Sequence, residues 1–175
     1  MSCIKTRRLF LALWPDDATR QRLQDALERV TLNADAKRVP PDDWHVTLAF
    51  LGTVPEVARP SIEALTVGWP PLRPCVLDKI AYWPESRVLV AVAEDPPTDW
   101  LLHRSRLVHR LQALGLRTDL RPWRPHVTLV RGVSGQDGAS AALQCSCAVD
   151  RVALVESLLA PGPNRYQTLA SQRLI

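Results

Sequence analysis

The stretch His45-Val46-Thr47-Leu48-Ala49-Phe50-Leu51-Gly52 decides the reading of this chain, because its first four residues recur unchanged as His126-Val127-Thr128-Leu129. Histidine is scarce, with four in 175 residues, and half of them fall in this repeat. Each copy follows a proline-rich approach that contains a tryptophan. Pro40-Pro41-Asp42-Asp43-Trp44 precedes one, and Arg121-Pro122-Trp123-Arg124-Pro125 precedes the other. An internal duplication, one copy per half of the chain, is the simplest origin of such a match.

Both copies read as strands, and residues two apart on a strand share a face. His45 and Thr47 then point one way while Val46 and Leu48 anchor the strand in the core; His126 and Thr128 repeat the pattern. A pseudo-two-fold arrangement would bring two imidazoles and two hydroxyls to face each other. Two histidines of near-neutral pKa can act as general base and general acid in one turnover. Two hydroxyls can donate hydrogen bonds to the non-bridging oxygens of a phosphate. In-line attack on phosphorus needs a base at the entering oxygen and an acid at the leaving one, and this geometry supplies both without a metal. A lone His beside a Thr would more simply be a core residue; the duplication is what argues for function. A zinc site competes, but it would need a third ligand such as Asp42, Asp43 or a cysteine, and neither a His-x-x-x-His nor a paired-Cys spacing supplies one.

Around this repeat the composition is that of one compact globular unit, 46% apolar with net charge +4 and pI near 9.2. The basic residues are arginines except Lys5, Lys37 and Lys79. A planar guanidinium matches phosphate oxygens, although a GC-rich genome, which enriches Arg and Pro, would leave the same mark. Cys3, Cys75, Cys145 and Cys147 form no Cys-x-x-Cys pair and read as free thiols of a reducing cytosol. The basic start followed by Leu9-Phe10-Leu11-Ala12-Leu13-Trp14 is too short for a secretory core and is closed by Pro15. No run is long enough to span a bilayer. A soluble cytoplasmic protein without a membrane partner is expected.

Coarse patterning places a buried strand at residues 8–14, then a helix to about Val30 capped by Asp16 or Asp17. A polar loop with at most a short edge strand covers residues 31–43, and a second strand covers 44–51. A second helix is expected over 55–67, with Val57, Ile62 and Leu65 inward and Pro60 disturbing it. Strands at 76–83 and 87–93 form a hairpin about Pro84-Glu85-Ser86. A third helix starts at a Thr98 or Asp99 cap, buries Trp100, Leu107, Leu111 and Leu114, and stops at Gly115. His126 opens another strand, residues 134–141 are loop or weak helix, and strands at 148–159 and 165–170 flank a turn at 161–164. This order lacks a clean β-α alternation, so an α+β domain with largely antiparallel sheets fits best.

Paired His-x-Thr-x motifs in opposite halves of a chain of this length resemble the signature of the 2H phosphoesterase superfamily, and within it the bacterial RNA 2′,3′-cyclic phosphodiesterases, also called 2′-5′ RNA ligases. The likeness spans nearly the whole chain. Residues 8–15 resemble the opening strand of that family, 45–52 the first motif block, and 124–131 the second. Glu156-Ser157 with Gly162 and Tyr166 resemble its closing hairpin. The resemblance implies one bilobal 2H phosphoesterase domain over residues 1–175, with one motif per lobe. Two mainly antiparallel sheets would surround a central groove, with helices outside and pseudo-two-fold symmetry. It implies metal-free, cofactor-free hydrolysis of an RNA or nucleotide 2′,3′-cyclic phosphate to a 2′-phosphate; a monomer is expected. His45 is then the proton donor and His126 the proton acceptor, while Thr47, Thr128 and Arg131 bind phosphate. Phe50 is a candidate base-stacking platform. The position five after each His, Phe50 or Arg131, would face the core under strict alternation, so either a bulge or a strand end re-aims it or Phe50 is core. Trp44 and Trp123 could line a nucleotide groove, with core packing the simpler role; His103 and His109 read as solvated. Alternatives are 2′-5′ ligation as the reverse reaction, hydrolysis of another small cyclic phosphate or a 2′-5′ oligonucleotide, and an RNA-binding module without catalysis.

Overall fold

The computed structural model describes residues 5–119, 121–134, 140–158 and 165–174. Cys3, Gly162 and the expected turn at 161–164 lie outside them. Among the described residues nine strands and three α-helices follow one another as β1 (Thr6–Pro15), α1 (Asp17–Glu28), β2 (Lys37–Arg38), β3 (Val46–Pro55), α2 (Arg59–Glu63), β4 (Cys75–Trp83), β5 (Val88–Val92), α3 (Thr98–Ala113), β6 (His126–Arg131), β7 (Ser140–Cys147), β8 (Val149–Ser157) and β9 (Tyr166–Arg173).

The strands pair antiparallel throughout, in the order β7-β4-β5-β6-β3-β1-β8-β9, with β2 added beside β6. The two expected sheets are halves of one path. They join at a single residue pair, Val46 opposite Val127, the second residue of each tetrapeptide. The unit β1-α1-β3 on one side of that joint corresponds to β5-α3-β6 on the other: two adjacent antiparallel strands linked by a helix.

β1 is the central strand of its half and is buried on both faces. Leu9, Leu11 and Leu13 enter the main core with Leu23 and Leu27 of α1. Phe10, Ala12 and Trp14 form a smaller cluster on the opposite face with Ala153 and Val155. Val88, Val90 and Val92 of β5 make the matching cluster in the other half. Burying one Leu or Val side chain stabilises the fold by roughly 1.5–3 kcal/mol.

The two longer helices, α1 and α3, each contact the half in which they do not begin. α1 follows β1 but packs on β7, where Arg22 donates to the Ser146 carbonyl at 2.7 Å. α3 follows β5 but packs on β3, where Arg104 reaches the Leu48 carbonyl at 3.4 Å. Asp16 caps α1 as expected, its carboxylate accepting from the Thr19 amide at 2.7 Å.

Four expectations are corrected. The second helix is a short α-turn between two 3-10 turns, because Pro60 removes a donor. Val57 is therefore exposed, while Ile62 and Leu65 are buried. Pro97, not Thr98 or Asp99, occupies the cap position of α3. Val108 takes the place in the buried stripe that was expected of Leu114. Strand β7 begins where loop or weak helix was expected. Among the described residues no helix is long and apolar enough to cross a membrane.

Candidate active site

The joint between β3 and β6 places the four polar motif residues. Val46 and Val127 are fully buried behind it. Carrying their antiparallel register one residue each way sets His45 across from Thr128 and Thr47 across from His126. The two histidines are then diagonal neighbours, a relation that spans about 7–8 Å in a regular pair. All four side chains are half-buried, on the sheet face opposite the main core.

His126 is the first residue of β6, whereas His45 stands just before β3, after a 3-10 turn at Pro41–Asp43. Both rings are nevertheless held alike. Nδ1 of His45 lies 2.7 Å from the Asp43 carbonyl, and Nδ1 of His126 lies 2.7 Å from the Arg124 carbonyl. A carbonyl oxygen only accepts, so Nδ1 carries the proton and Nε2 is left to exchange one. The proline-rich approaches make this contact by turning the chain back two residues before each His.

Each imidazole also packs on a tryptophan that carries a guanidinium. His45 stacks on Trp14 at 5.2 Å, with Arg151 5.2 Å from that ring. His126 lies 4.5 Å from Trp83, with Arg124 5.6 Å from that ring. His45 is the more enclosed, since Phe10 at 4.9 Å and Tyr166 at 5.3 Å complete a box around it. Burial pushes His45 down to about 4, opposed by its bond to Asp43 and assisted by the nearby charges of Arg131 and His126. Burial lowers His126 as well, with Arg124 and Arg131 adding to the effect. Two neutral imidazoles at pH 7 follow.

The position five after each His is re-aimed by a β-bulge, and the bulge falls at the same place in both copies. Thr47 is opposite Ala12 and Ala49 opposite Leu11, so Leu48 is the extra residue of β3. Thr128 is opposite Val90 and Val130 opposite Leu89, so Leu129 is the extra residue of β6. The extra residue flips the alternation. Phe50 thereby pairs with Phe10 and Arg131 with Val88, both on the face that carries the motif histidines. Phe50 is 46% exposed, with the Arg8 guanidinium 4.8 Å from its ring, so it is not core. Arg131 is half-buried, and its Nε has no hydrogen-bond partner among the described residues. Gly132 ends the strand at φ +70°, with the Asp35 carbonyl 3.1 Å from where a Cβ would stand.

Trp44 is core, 1% exposed, as its simpler reading had it. Trp123 is half-buried and donates from its indole to the Thr47 carbonyl at 2.9 Å, which ties it to β3. His103, expected to be solvated, is half-buried against Trp69 with ring centroids 5.6 Å apart, because it lies on the α3 side facing that ring; His109 is exposed as expected. Sequence reasoning missed Phe10, Trp14, Trp83 and Arg151 as parts of the site. The signal was the unbroken apolar run of β1. An antiparallel strand buried on both faces must meet something on the second, and here that includes the His45 ring.

A family model described as "2'-5' RNA ligase superfamily" matches residues 9–160. The chain is 31% identical over 136 residues to the RNA 2′,3′-cyclic phosphodiesterase of Escherichia coli strain K12, covering 75% of this chain and 76% of that protein. Its fold is similar to the crystal structure of E. coli LigT complexed with 3′-AMP, with TM-score 0.83 and 26% identity over 97% of this chain and 99% of that one. It is likewise similar to a crystal structure of a Thermus thermophilus protein, TT0787, with TM-score 0.78 and 30% identity over 95% and 97% of the two chains.

Proposed function

The chain belongs to the 2′-5′ RNA ligase superfamily, and from that premise we propose that it hydrolyses RNA 2′,3′-cyclic phosphate ends to 2′-phosphomonoesters. One observation carries the reading. Two imidazoles, each fixed through Nδ1 to the carbonyl two residues back, flank the single pair that joins the halves of the sheet.

In this reading the cyclic phosphate sits between the rings. His126 Nε2 takes a proton from water as its oxygen attacks phosphorus. The bond to the 3′ oxygen breaks on the opposite side, and His45 supplies that oxygen with a proton. The Thr47 and Thr128 hydroxyls donate to the non-bridging oxygens, and Arg131, whose guanidinium retains unused donors, clamps the same charge. Phe50 offers its exposed ring to a base. Burial lowers the proton affinity of both rings, so the assignment of donor to His45 and acceptor to His126 rests on the family resemblance. His126, neutral at pH 7, suits a base.

The reading extends to one bilobal domain acting as a monomer in the cytoplasm. The buried free thiols of Cys75, Cys145 and Cys147 fit a reducing compartment. The test is turnover of a nucleoside 2′,3′-cyclic phosphate by His45→Ala and His126→Ala. Each should lose about 10²–10⁴-fold in kcat, the usual contribution of a positioned acid or base. Near-normal turnover in either variant would refute the assignment.

A further inference from the structure

The two flanks of α3 carry different chemistry. Its buried stripe is Trp100, Leu107 and Leu111. At about 100° per residue, Arg104 falls on one side of that stripe, while His103, Arg106 and Arg110 fall together on the other. Arg104 reaches the Leu48 carbonyl and lines the space beside Thr47 and His126. His103, Arg106 and Arg110 instead line a hollow of about 180 Å³ on the far side of the helix, closed by Leu65 and Trp69. Among the described residues no acid lines that hollow.

The wall opposite α3 is held in place by β9. Gln172 accepts from the Gly68 amide at 2.6 Å and donates to the Trp69 carbonyl at 2.8 Å, while the Trp69 indole donates to the Leu65 carbonyl at 2.9 Å. The His103 ring lies 5.6 Å from that indole. The basic wall has no counter-charge. Asp99 is the last acid of α3, and Arg73 lies 3.6 Å from it. Arg7, Arg20, Arg59 and Arg121 all meet carboxylates, but Arg106 and Arg110 form no ion pair among the described residues. Like charges at i,i+4 repel along a helix, so an anion seated between them would stabilise both. The hollow is smaller than the roughly 300 Å³ at which sites for a whole small molecule begin, so it suits one charged group of a larger partner.

We propose that this flank of α3 binds the phosphodiester backbone of an RNA chain whose cyclic-phosphate end occupies the motif site. The inference rests on the phosphodiesterase reading, which names the end group but not how the body of the RNA is held. The guanidinium forks of Arg106 and Arg110 match the non-bridging oxygens of a backbone phosphate, with Trp69 as an aromatic neighbour for the adjoining nucleoside. The hollow and the space beside His126 are separated by the width of one helix, about 10–12 Å, so a few nucleotides of one strand can reach both. A strand anchored at its end meets Arg106 and Arg110 at high effective concentration, which lets two exposed contacts matter. An acidic protein segment would find the same charges but has no end held in the site. A mononucleotide cyclic phosphate is too short to span from the site to the hollow. Arg106 and Arg110 on this account determine the preference for RNA length and stand outside the catalytic machinery.

The experiment compares a nucleoside 2′,3′-cyclic phosphate with a short single-stranded RNA carrying the same terminal nucleoside and cyclic end. It uses the unaltered chain, Arg106→Gln with Arg110→Gln, and a control that loses the same charge elsewhere, Lys5→Gln with Arg29→Gln; all four positions are exposed. In the α3 variant the KM for the RNA should rise about fivefold to tenfold with kcat unchanged, the scale of two exposed charge contacts. The slope of log KM against log salt should rise less steeply by about 1.4, at about 0.7 per phosphate contact on a single strand. Kinetics on the mononucleotide should be unchanged, which also reports an intact fold, and the control should behave as the unaltered chain. Anisotropy of a fluorescent RNA ending in a 2′-phosphomonoester reads the same contact without turnover, and its affinity should fall in the α3 variant alone. An RNA KM, affinity and salt slope unchanged in that variant, or changed equally in the control, overturns the contact while leaving the phosphodiesterase reading standing. So does displacement of the labelled RNA by polyglutamate as effectively as by unlabelled RNA of equal charge, which would point to an acidic protein. Absence of turnover of both substrates by the unaltered chain would instead remove the phosphodiesterase reading, with the binding arm still deciding the contact on α3.

Discussion

Two backbone carbonyls, those of Asp43 and Arg124, decide which nitrogen of each motif imidazole is available for chemistry. With Nδ1 engaged in both, the unliganded site at neutral pH holds two Nε2 bases and no acid. The proposed mechanism requires one ring charged and one neutral, a state that belongs to the pair as a coupled system. Both imidazoles are pushed below their ordinary 6.5 by burial, so the singly protonated form is most populated on the acid side of that value. The optimum of kcat/KM should therefore lie below pH 6.5 and decline as pH rises, because the general acid is then unprotonated. A kcat/KM profile still flat at pH 8 would contradict this. An anionic substrate favours the imidazolium, so the alkaline limb of kcat should lie higher than that of kcat/KM. At this scale the sequence was informative: His45, Thr47, His126 and Thr128 were readable as a unit because they recur with the same spacing. The aromatic box of His45 was not readable, since Phe10 and Trp14 come from another strand and nothing in their own segment points to a histidine.

The bulges at Leu48 and Leu129 show what a strand's own sequence leaves open. Alternation is a property of one chain, whereas a bulge is fixed by how two strands pair. Phe50 and Arg131 could thus be flagged as conflicting with strict alternation, while the β1 and β5 pairings resolved the conflict. β7 had a legible alternation, with Leu143, Cys145 and Cys147 buried and Gln144 and Ser146 exposed, but its small and polar residues masked it. The α1 cap was legible because Asp before an amphipathic run has a specific mechanism. Asp16→Ala should cost about 0.5–2 kcal/mol, read as a lower denaturation midpoint, with kcat on the cyclic phosphate unchanged. An unaltered midpoint would mean that the observed bond to the Thr19 amide contributes nothing.

Across the whole molecule, the crossing of helices makes the halves mutually dependent. α1 leaves β1 to cover β7, β8 returns from β7 to pair with β1, and α3 leaves β5 to cover β3. Neither half retains its own helix and strands if the chain is divided, so unfolding should be a single transition that coincides by far-ultraviolet circular dichroism and tryptophan fluorescence. Two separated transitions would indicate independent lobes. Duplication was evident from the repeated tetrapeptide, but the exchange of helices between halves was not, because only long-range contacts define it. The joint at Val46 and Val127 is where this architecture meets the proposed chemistry, by setting the two motif imidazoles diagonally across one strand pair. The most direct measurement is phosphorus NMR of a nucleoside 2′,3′-cyclic phosphate incubated with the chain and with its His126→Ala variant, both in EDTA. The expected result is a 2′-phosphomonoester resonance from the first sample alone. A 3′-phosphomonoester, or equal product from the variant, would contradict the paired-imidazole mechanism.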